Sequence, residues 1–424
     1  MSEWKFLTLK EAELEFIDGD RGVNYPKKSE LLPEGDCVFL NTGNVRQNSF
    51  DFSNLDFITK EKDNLLRNGK LQRDDIVLTT RGTVGNVALY SQEVPFSNIR
   101  INSGMVIIRV NKNFWHPYFI YLFFQSHLFK KQISRLISGS AQPQLPISIL
   151  ETVNIPQLTL DEQKEIIFNI KSIDQKIALN NQINQELEAM AKTLYDYWFV
   201  QFDFPDENGK PYKSSGGKMV YNDQLKREIP EGWGVEKVSE IAKTGSGGTP
   251  KSTTDEYYSN GTIPWINSGE LNKSIIISTT NYITEFGLEN SSAKLFPADS
   301  ILIAMYGATA GKVSFLAFES STNQAICAVT LDDNRLKYYF KFFIEDLYSH
   351  LVTLSSGSAR DNLSQDMIKN LLMINPNDRV IETFFVLVDS YFLQITNNLK
   401  QNQELTQLRD WLLPMLMNGQ VRME

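Results

Sequence analysis

The sequence predicts an α/β (α+β) chain in which a mixed globule followed by a long helix is written twice in tandem. Three observations predict it. Blocks of the first half return in the same order in the second half. Within them, short β-rich runs such as DIVLTT, SGMVIIRV, DSILIAM and QAICAVTL lie between Gly, Asp, Ser and Asn. After each globule, stretches 160–200 and 380–418 step their apolar positions by three and four, the period of a helix with one buried face.

Taken in order, the repeat starts at SEWKFLTLKEA (2–12), answered by EGWGVEKVSEIA (231–242). Trp4 and Trp233 each precede a short strand or turn and a helix. GDCVFLNTGNV (35–45) is answered by GTIPWINSGEL (261–271). LQRDDIVLTTRGTVGNVALY (71–90) and LFPADSILIAMYGATAGKVSFL (295–316) share an acidic turn, an apolar run, a Gly-Thr turn and a second apolar run. IRINSGMVIIRV (99–110) parallels STNQAICAVTL (321–331). Helix-like segments follow at 117–137 and 336–354. SGSA then stands at 138–141 and 356–359, 218 residues apart, before short apolar strands at 151–158 and 368–376. NQEL recurs at 184–187 and 402–405, again 218 apart. These landmarks divide the chain into a globule (1–158), a long helix (159–200), an exposed connector rich in Gly, Pro, Ser and charge (201–230), a second globule (231–376) and a second long helix with a tail (377–424). Pro414 and Gly419 in that tail suit a helix end or break.

The first helical stripe runs Ile166, Ile170, Ile173, Ile177, then Asn180 and Asn184, then Leu187, Met190 and Leu194. The second runs Val388, Phe392, Ile395, Leu399, Asn402, Leu405, Leu408 and Leu412. Two such stripes pack most simply on one another. The other reading is two separate amphipathic helices, each on its own globule. An Asn in a seam costs stability and pins register.

Composition removes several function classes. No apolar run approaches the ~18 residues of a membrane span, and the N-terminus is too charged for a signal peptide. Two distant cysteines, Cys37 and Cys327, make no disulfide framework, so a reducing cytoplasm is expected. With only His116, His127 and His350 beside them, a zinc site is not expected. The net charge of −9 argues against free binding to DNA driven by phosphate attraction. Locally basic faces, or partners that bring positive charge, remain open. GATAGKV (307–313) places three residues between its glycines where a phosphate loop has four. Val313 also stands where the Ser or Thr belongs. No GxGxxG opens a helix after a strand, and GxSxG, HExxH, CxxC and the Asn/Asp-Pro-Pro-aromatic tetrapeptide of amino-methyltransferases are absent. No residue is therefore assigned to catalysis, cofactor or metal.

What recurs instead is loop chemistry. TGNVRQ, TTRGTVGN, SNIRINS and SGSAQPQ are answered by INSGELNKS, YGATAGK, SSTNQ and SGSARDN. Asn and Gln pair with adenine, Arg forks onto guanine, and Ser, Thr and backbone N–H groups suit phosphates. Any single loop can equally be an ordinary solvated turn.

EGWGVEKVSEIAKTGSGGTP with IPWINSGEL, ILIAMYGATAGKV, the SGSA segments and the NQEL helices, in this order and duplicated, resemble the specificity (S) subunit of type I restriction-modification systems. The resemblance covers essentially the whole chain. In the first unit EFIDGDRGVNYP (15–26) replaces the GGTP-type segment and RGTVGN replaces YGATAGK. It implies that each globule is a target recognition domain reading half of a split DNA sequence from the major groove. The helices would form an antiparallel coiled coil spacing the half-sites at about 1.5 Å per residue. The implied partners are double-stranded DNA, two methyltransferase (M) subunits and two motor-nuclease (R) subunits. S-adenosylmethionine, ATP and magnesium would belong to those partners, with no catalysis in this chain. The adenine to be methylated would flip into the partner's pocket. Candidate DNA contacts are Asn44, Arg46, Arg81, Thr83, Asn102, Gln142 and Gln144 in the first unit. In the second they are Asn267, Tyr306, Thr309, Lys312, Asn323, Arg360 and Asn362. The seam residues Ile166, Ile170, Ile173, Ile177, Leu187, Val388, Ile395, Leu399 and Leu405 are expected to be structural. Two rival classes are a stand-alone nuclease or methyltransferase, which lacks its loop or metal cluster here, and a two-globule scaffold, which leaves the loop chemistry unexplained.

Overall fold

The computed structural model describes residues 4–137, 144–306, 309–354 and 364–417. They form two compact units. One joins the residues up to Ile177 to those from Gln403 onward; the other is Ala178–Asn402.

The first unit is built on strands β1 Glu15–Asp18, β2 Cys37–Leu40, β3 Ile76–Thr79, β4 Val87–Leu89, β5 Ile99–Ile101 and β6 Met105–Arg109. One antiparallel sheet runs β1-β6-β3-β4, with Ile107 opposite both Ile17 and Val77. A second sheet sets β2 parallel to β5, Val38 opposite Ile99. Every residue of β2 and β3 is buried. This explains why CVFL and IVL are unbroken apolar runs, since strands covered on both faces have no solvent side to mark. The period of two still sorts side chains between cores. Met105 and Ile107 meet Val38, Leu40 and Val77, whereas Val106 and Ile108 meet Ile76, Leu78 and the helical layer. That layer is α1 Pro117–Gln125 and α2 His127–Ile137. The single segment expected at 117–137 is cut at Ser126. Its Oγ donates to Phe123 O (2.6 Å) and accepts from Phe129 N (3.2 Å), ending one helix and capping the next.

The long helix α3, Leu160–Tyr195, opens on a reciprocal cap. Glu162 N donates to Thr159 Oγ1 and Thr159 N to Glu162 Oε2. It ends in a π-helical turn, Asp196–Val200. The segment 201–230, expected to be an exposed connector, is exposed along most of its length but anchored at its two ends. Phe202 and Phe204 are buried; Phe204 stacks on Trp233 (4.9 Å) and Tyr212 (4.6 Å), and Met219–Asn222 pairs with Arg227–Pro230. The aromatic pair in QFDFP anchors the segment while the polar residues after it stay mostly exposed.

The second unit repeats the path with β7 Ala242–Ser246, β8 Ile263–Ile266, β9 Ile301–Ala304, β10 Val313–Leu316, β11 Ser320–Thr322 and β12 Ile326–Leu331. The sheet order is β7-β12-β9-β10, closed by a fifth short strand, Ile275–Ile276, parallel to β10, and β8 runs parallel to β11. Helix α4, Lys337–Leu354, covers it, and α5 spans Asp378–Met417. Pro414 lies inside α5 rather than ending it. A proline so near the last turn forfeits little of the helix's hydrogen bonding.

Each long helix serves both units. In the first, Ile166 and Ile170 of α3 share a core with Leu413, Leu416 and Met417 of α5. In the second, Ala191 and Tyr195 of α3 share one with Val388, Phe392 and Ile395 of α5. Ile173, Ile177, Leu187, Leu399 and Leu405 are half-buried along the same face. Two seam assignments are corrected: Met190 and Leu408 are 49% and 46% exposed. Ala191 and Arg409 take the inward places, Arg409 bonding Asp174 at 3.2 Å. A helix of 3.6 residues per turn drifts about 20° per heptad, which shifts the stripe by one position. Between these apolar stretches lies an amide ladder. Asn180 Nδ2 donates to Asn402 Oδ1 (2.8 Å) and Gln401 Oε1 (2.7 Å), and Asn398 Nδ2 donates to Asn184 Oδ1 (2.8 Å). As one residue number rises its partner's falls, so the helices pair antiparallel here. Among the described residues no helix is long and apolar enough to cross a membrane.

Candidate nucleic-acid interface

In the first unit, loops at one end of the sheet converge on Gly104. Thr80 N and Arg81 N both donate to Gly104 O (2.8 and 3.2 Å). Asn102 N donates to Leu40 O (3.0 Å), and Asn102 Oδ1 accepts from Gly104 N (2.9 Å). A Cβ on Gly104 would stand 2.7 Å from the Thr42 methyl, so this close approach requires glycine. Gln144 pairs with Arg81 across an isolated bridge, which leaves both exposed side chains adjacent. Thr83 is exposed on the same turn, and its carbonyl accepts from Asn86 N (3.3 Å). Asn86 Nδ2 in turn holds Val45 O (2.9 Å), tying in the hairpin that carries Arg46.

Asn44 is placed otherwise than expected. It is 5% exposed, its Oδ1 accepts from Asn41 N, and its Nδ2 donates to Asp51 O and Asn54 O. Its amide is spent on the loop, so it shapes the surface without reaching a ligand. Arg46 is exposed and bound through Nε to Asp51 (2.9 Å). The Ser53 hydroxyl and amide, then Arg46, hold the Asp51 carboxyl down at about 2.

The second unit repeats this frame. Met305 N donates to Ala325 O (2.8 Å), Asn323 N to Ile266 O (2.9 Å), and Asn323 Oδ1 accepts from Ala325 N (3.1 Å). Thr309 O accepts from Lys312 N (2.9 Å). Asn102 thus corresponds to Asn323, Thr83 to Thr309, Arg81 to Tyr306 and Asn86 to Lys312. Asn267 corresponds to Asn41; its Oδ1 accepts from Asn323 Nδ2 (3.3 Å), joining the two loops. Tyr306 and Lys312 are exposed, and Thr309 is half-buried. Among the described residues neither Arg81 nor Lys312 has an acidic partner.

Gln142, Arg360, Asn362 and both SGSA segments lie outside the described residues. Sequence reasoning missed Thr249 and Gln324, exposed side chains that meet through a hydrogen bond from the threonine hydroxyl to Gln324 Oε1. The local signal was Asn-Gln before an apolar strand, where the Asn turn fixes the next side chain outward. The two cysteines are buried, and burial pushes each thiol up to about 12. No group of three His, Cys, Asp or Glu among the described residues could hold a metal.

A polar, partly basic rim on a buried sheet, duplicated in one chain, suits recognition of an extended ligand with two parts. The family described as "Type I restriction modification DNA specificity domain" matches residues 1–189 and 230–407. The chain is 28% identical to the type I restriction enzyme MjaIX specificity subunit of Methanocaldococcus jannaschii, over 82% of this chain and 78% of that one. It is 26% identical to the HindI specificity subunit of Haemophilus influenzae, over 99% and 100%. The fold is similar to the crystal structure of a type I restriction-modification S subunit from M. genitalium. That likeness has a TM-score of 0.54 at 16% identity and covers 99% of this chain and 97% of the other. The matched family spans both units and both rims: this chain belongs to the type I restriction-modification specificity subunits, the non-catalytic components that give those complexes their DNA sequence.

Proposed function

We propose that each rim reads one half of a bipartite, asymmetric DNA target, and that the paired helices space the halves while the chain recruits its methyltransferase subunits. The observation that carries this is the shared frame with exchanged side chains. The same backbone bonds recur around Asn102 and Asn323, while Arg81 is exchanged for Tyr306 and Asn86 for Lys312. Two readers of two different sequences need a common scaffold and different exposed groups. Arg46, Arg81, Thr83 and Gln144 are the groups proposed to touch DNA in the first unit, with Tyr306, Thr309 and Lys312 in the second. Asn44, Asn102, Asn267 and Asn323 hold the loops from which they project. The net charge of −9 fits a chain that meets DNA inside a complex, in the cytoplasm where chromosomal and invading DNA are found.

Lys312 is proposed as a phosphate contact. Lys312→Ala in the assembled methyltransferase complex should weaken binding to target and unrelated duplex alike and lower the salt slope by about one. If the variant binds target and random duplex equally while the wild type is specific, Lys312 reads bases and the phosphate role is wrong.

A further inference from the structure

We propose that Gln324, held by Thr249, is a base-reading residue of the second unit and selects an adenine in its half-site. The proposal rests on the rim of that unit being its DNA face, and it adds the base that one side chain reads.

Three features of the pair support it. The first is how Thr249 is held. Gly247, Gly248 and Pro250 around it are buried, and Thr249 alone is exposed. Trp265 Nε1 donates to Gly248 O (3.0 Å) and the Tyr258 hydroxyl to Pro250 O (2.5 Å), so the backbone is clamped on both sides. A Cβ on Gly247 would lie 2.0 Å from Thr322 O; this loop is pressed against the strand that leads to Gln324. The second is how Gln324 is held. It sits between Asn323, whose Oδ1 accepts from Ala325 N (3.1 Å), and Ala325, whose carbonyl binds Met305 N (2.8 Å). The side chain therefore projects from a closed turn beside Tyr306. The third is the bond between them. With the Thr249 hydroxyl donating to Gln324 Oε1, the amide is fixed in one orientation. Its two N–H donors and a second lone pair on Oε1 stay available. Adenine presents an N6 donor and an N7 acceptor in the major groove, which one carboxamide satisfies together. Fixing both residues before binding lowers the ordering cost of that contact.

The first unit differs at this place. Ser103 stands between Asn102 and Gly104 where Gln324 stands between Asn323 and Ala325. A hydroxyl cannot make the paired amide contact, so the same frame carries no adenine reader there.

The test uses the full chain assembled with its methyltransferase partner and a randomised duplex pool; the bound duplexes are sequenced. The wild type should enrich adenine at one position of the second half-site that Gln324→Ala relaxes by ~10-fold or more, every other position keeping its preference. Gln324→Glu, which accepts but does not donate, should shift that position away from adenine and toward cytosine. Thr249→Val should relax it in part and Thr249→Ser restore it, marking Thr249 as a positioning residue. An unchanged preference in both Gln324 variants overturns the proposal, as does an equal loss at every position in both. Lys312→Ala separates the two levels. Reduced binding there with an unaltered Gln324 profile rejects this inference alone, whereas no effect of Lys312→Ala on any duplex rejects the rim as the DNA face.

Discussion

Cys37 lies in β2 and Cys327 in β12, each within a sheet and each with its thiol pushed up to about 12 by burial. At pH 8 almost no thiolate exists in the fold, and the thiolate is the reactive form. The native protein should therefore take up no alkylating reagent at pH 8, and both cysteines should react in urea, counted by mass. The linkage has a definite sign. An unfolded thiol ionises near ~8.5 while the folded one keeps its proton, so each cysteine withdraws stability as pH rises above that value. Single residues were unevenly legible. Asn44 and Gln324 are both amides in polar loops, yet one is sealed inside its loop and the other faces out. Asn44 is closed in by its own loop through Asn41, Asp51 and Asn54, whereas Gln324 meets Thr249 from far along the chain, and periodicity says nothing about either.

At the scale of elements, the amide ladder is where the helix pair gives up apolar packing for specificity. Asn180 and Asn398 are 218 residues apart, as are Asn184 and Asn402. Each helix thus supplies the same pair, and Asn180 meets Asn402 while Asn398 meets Asn184. Asn184→Ala leaves the Asn398 amide buried without that acceptor. It should cost about 1–3 kcal/mol, read as a lower urea midpoint. Replacing Asn184 and Asn398 together by Leu should raise the midpoint, because an apolar pair carries no desolvation penalty. Asn180, Asn184 and Asn402 were visible in the sequence because they interrupt a regular apolar step, whereas Asn398, beside the apolar Leu399, was not. Met190 and Leu408 were misassigned because a stripe read in straight steps of three and four ignores the drift of a real helix. The connector is exposed as its polar composition says, but its anchor was not legible: Phe202 and Phe204 are buried, and Phe204 stacks on Trp233.

For the whole molecule, the duplicated order of strands, turns and helices was plain from the sequence, since tandem units keep their landmarks at a fixed spacing. Which core a helix end enters was not, because chain order carries no information about it. Leu413, Leu416 and Met417 belong to the core of the first unit, beside Ile166 and Ile170. Leu416→Ala should cost that unit about 2–5 kcal/mol and leave the second unit's transition in place, seen as one of two calorimetric peaks moving. The same arrangement reverses the usual sequence of events at the ribosome, where N-terminal domains fold first. The second unit is an uninterrupted run from Ala178 to Asn402 and is complete once Asn402 has emerged. The first unit, though synthesised earlier, stays open until Leu413, Leu416 and Met417 arrive, so an early stop in translation would leave the N-terminal reader unfinished beside a finished C-terminal one.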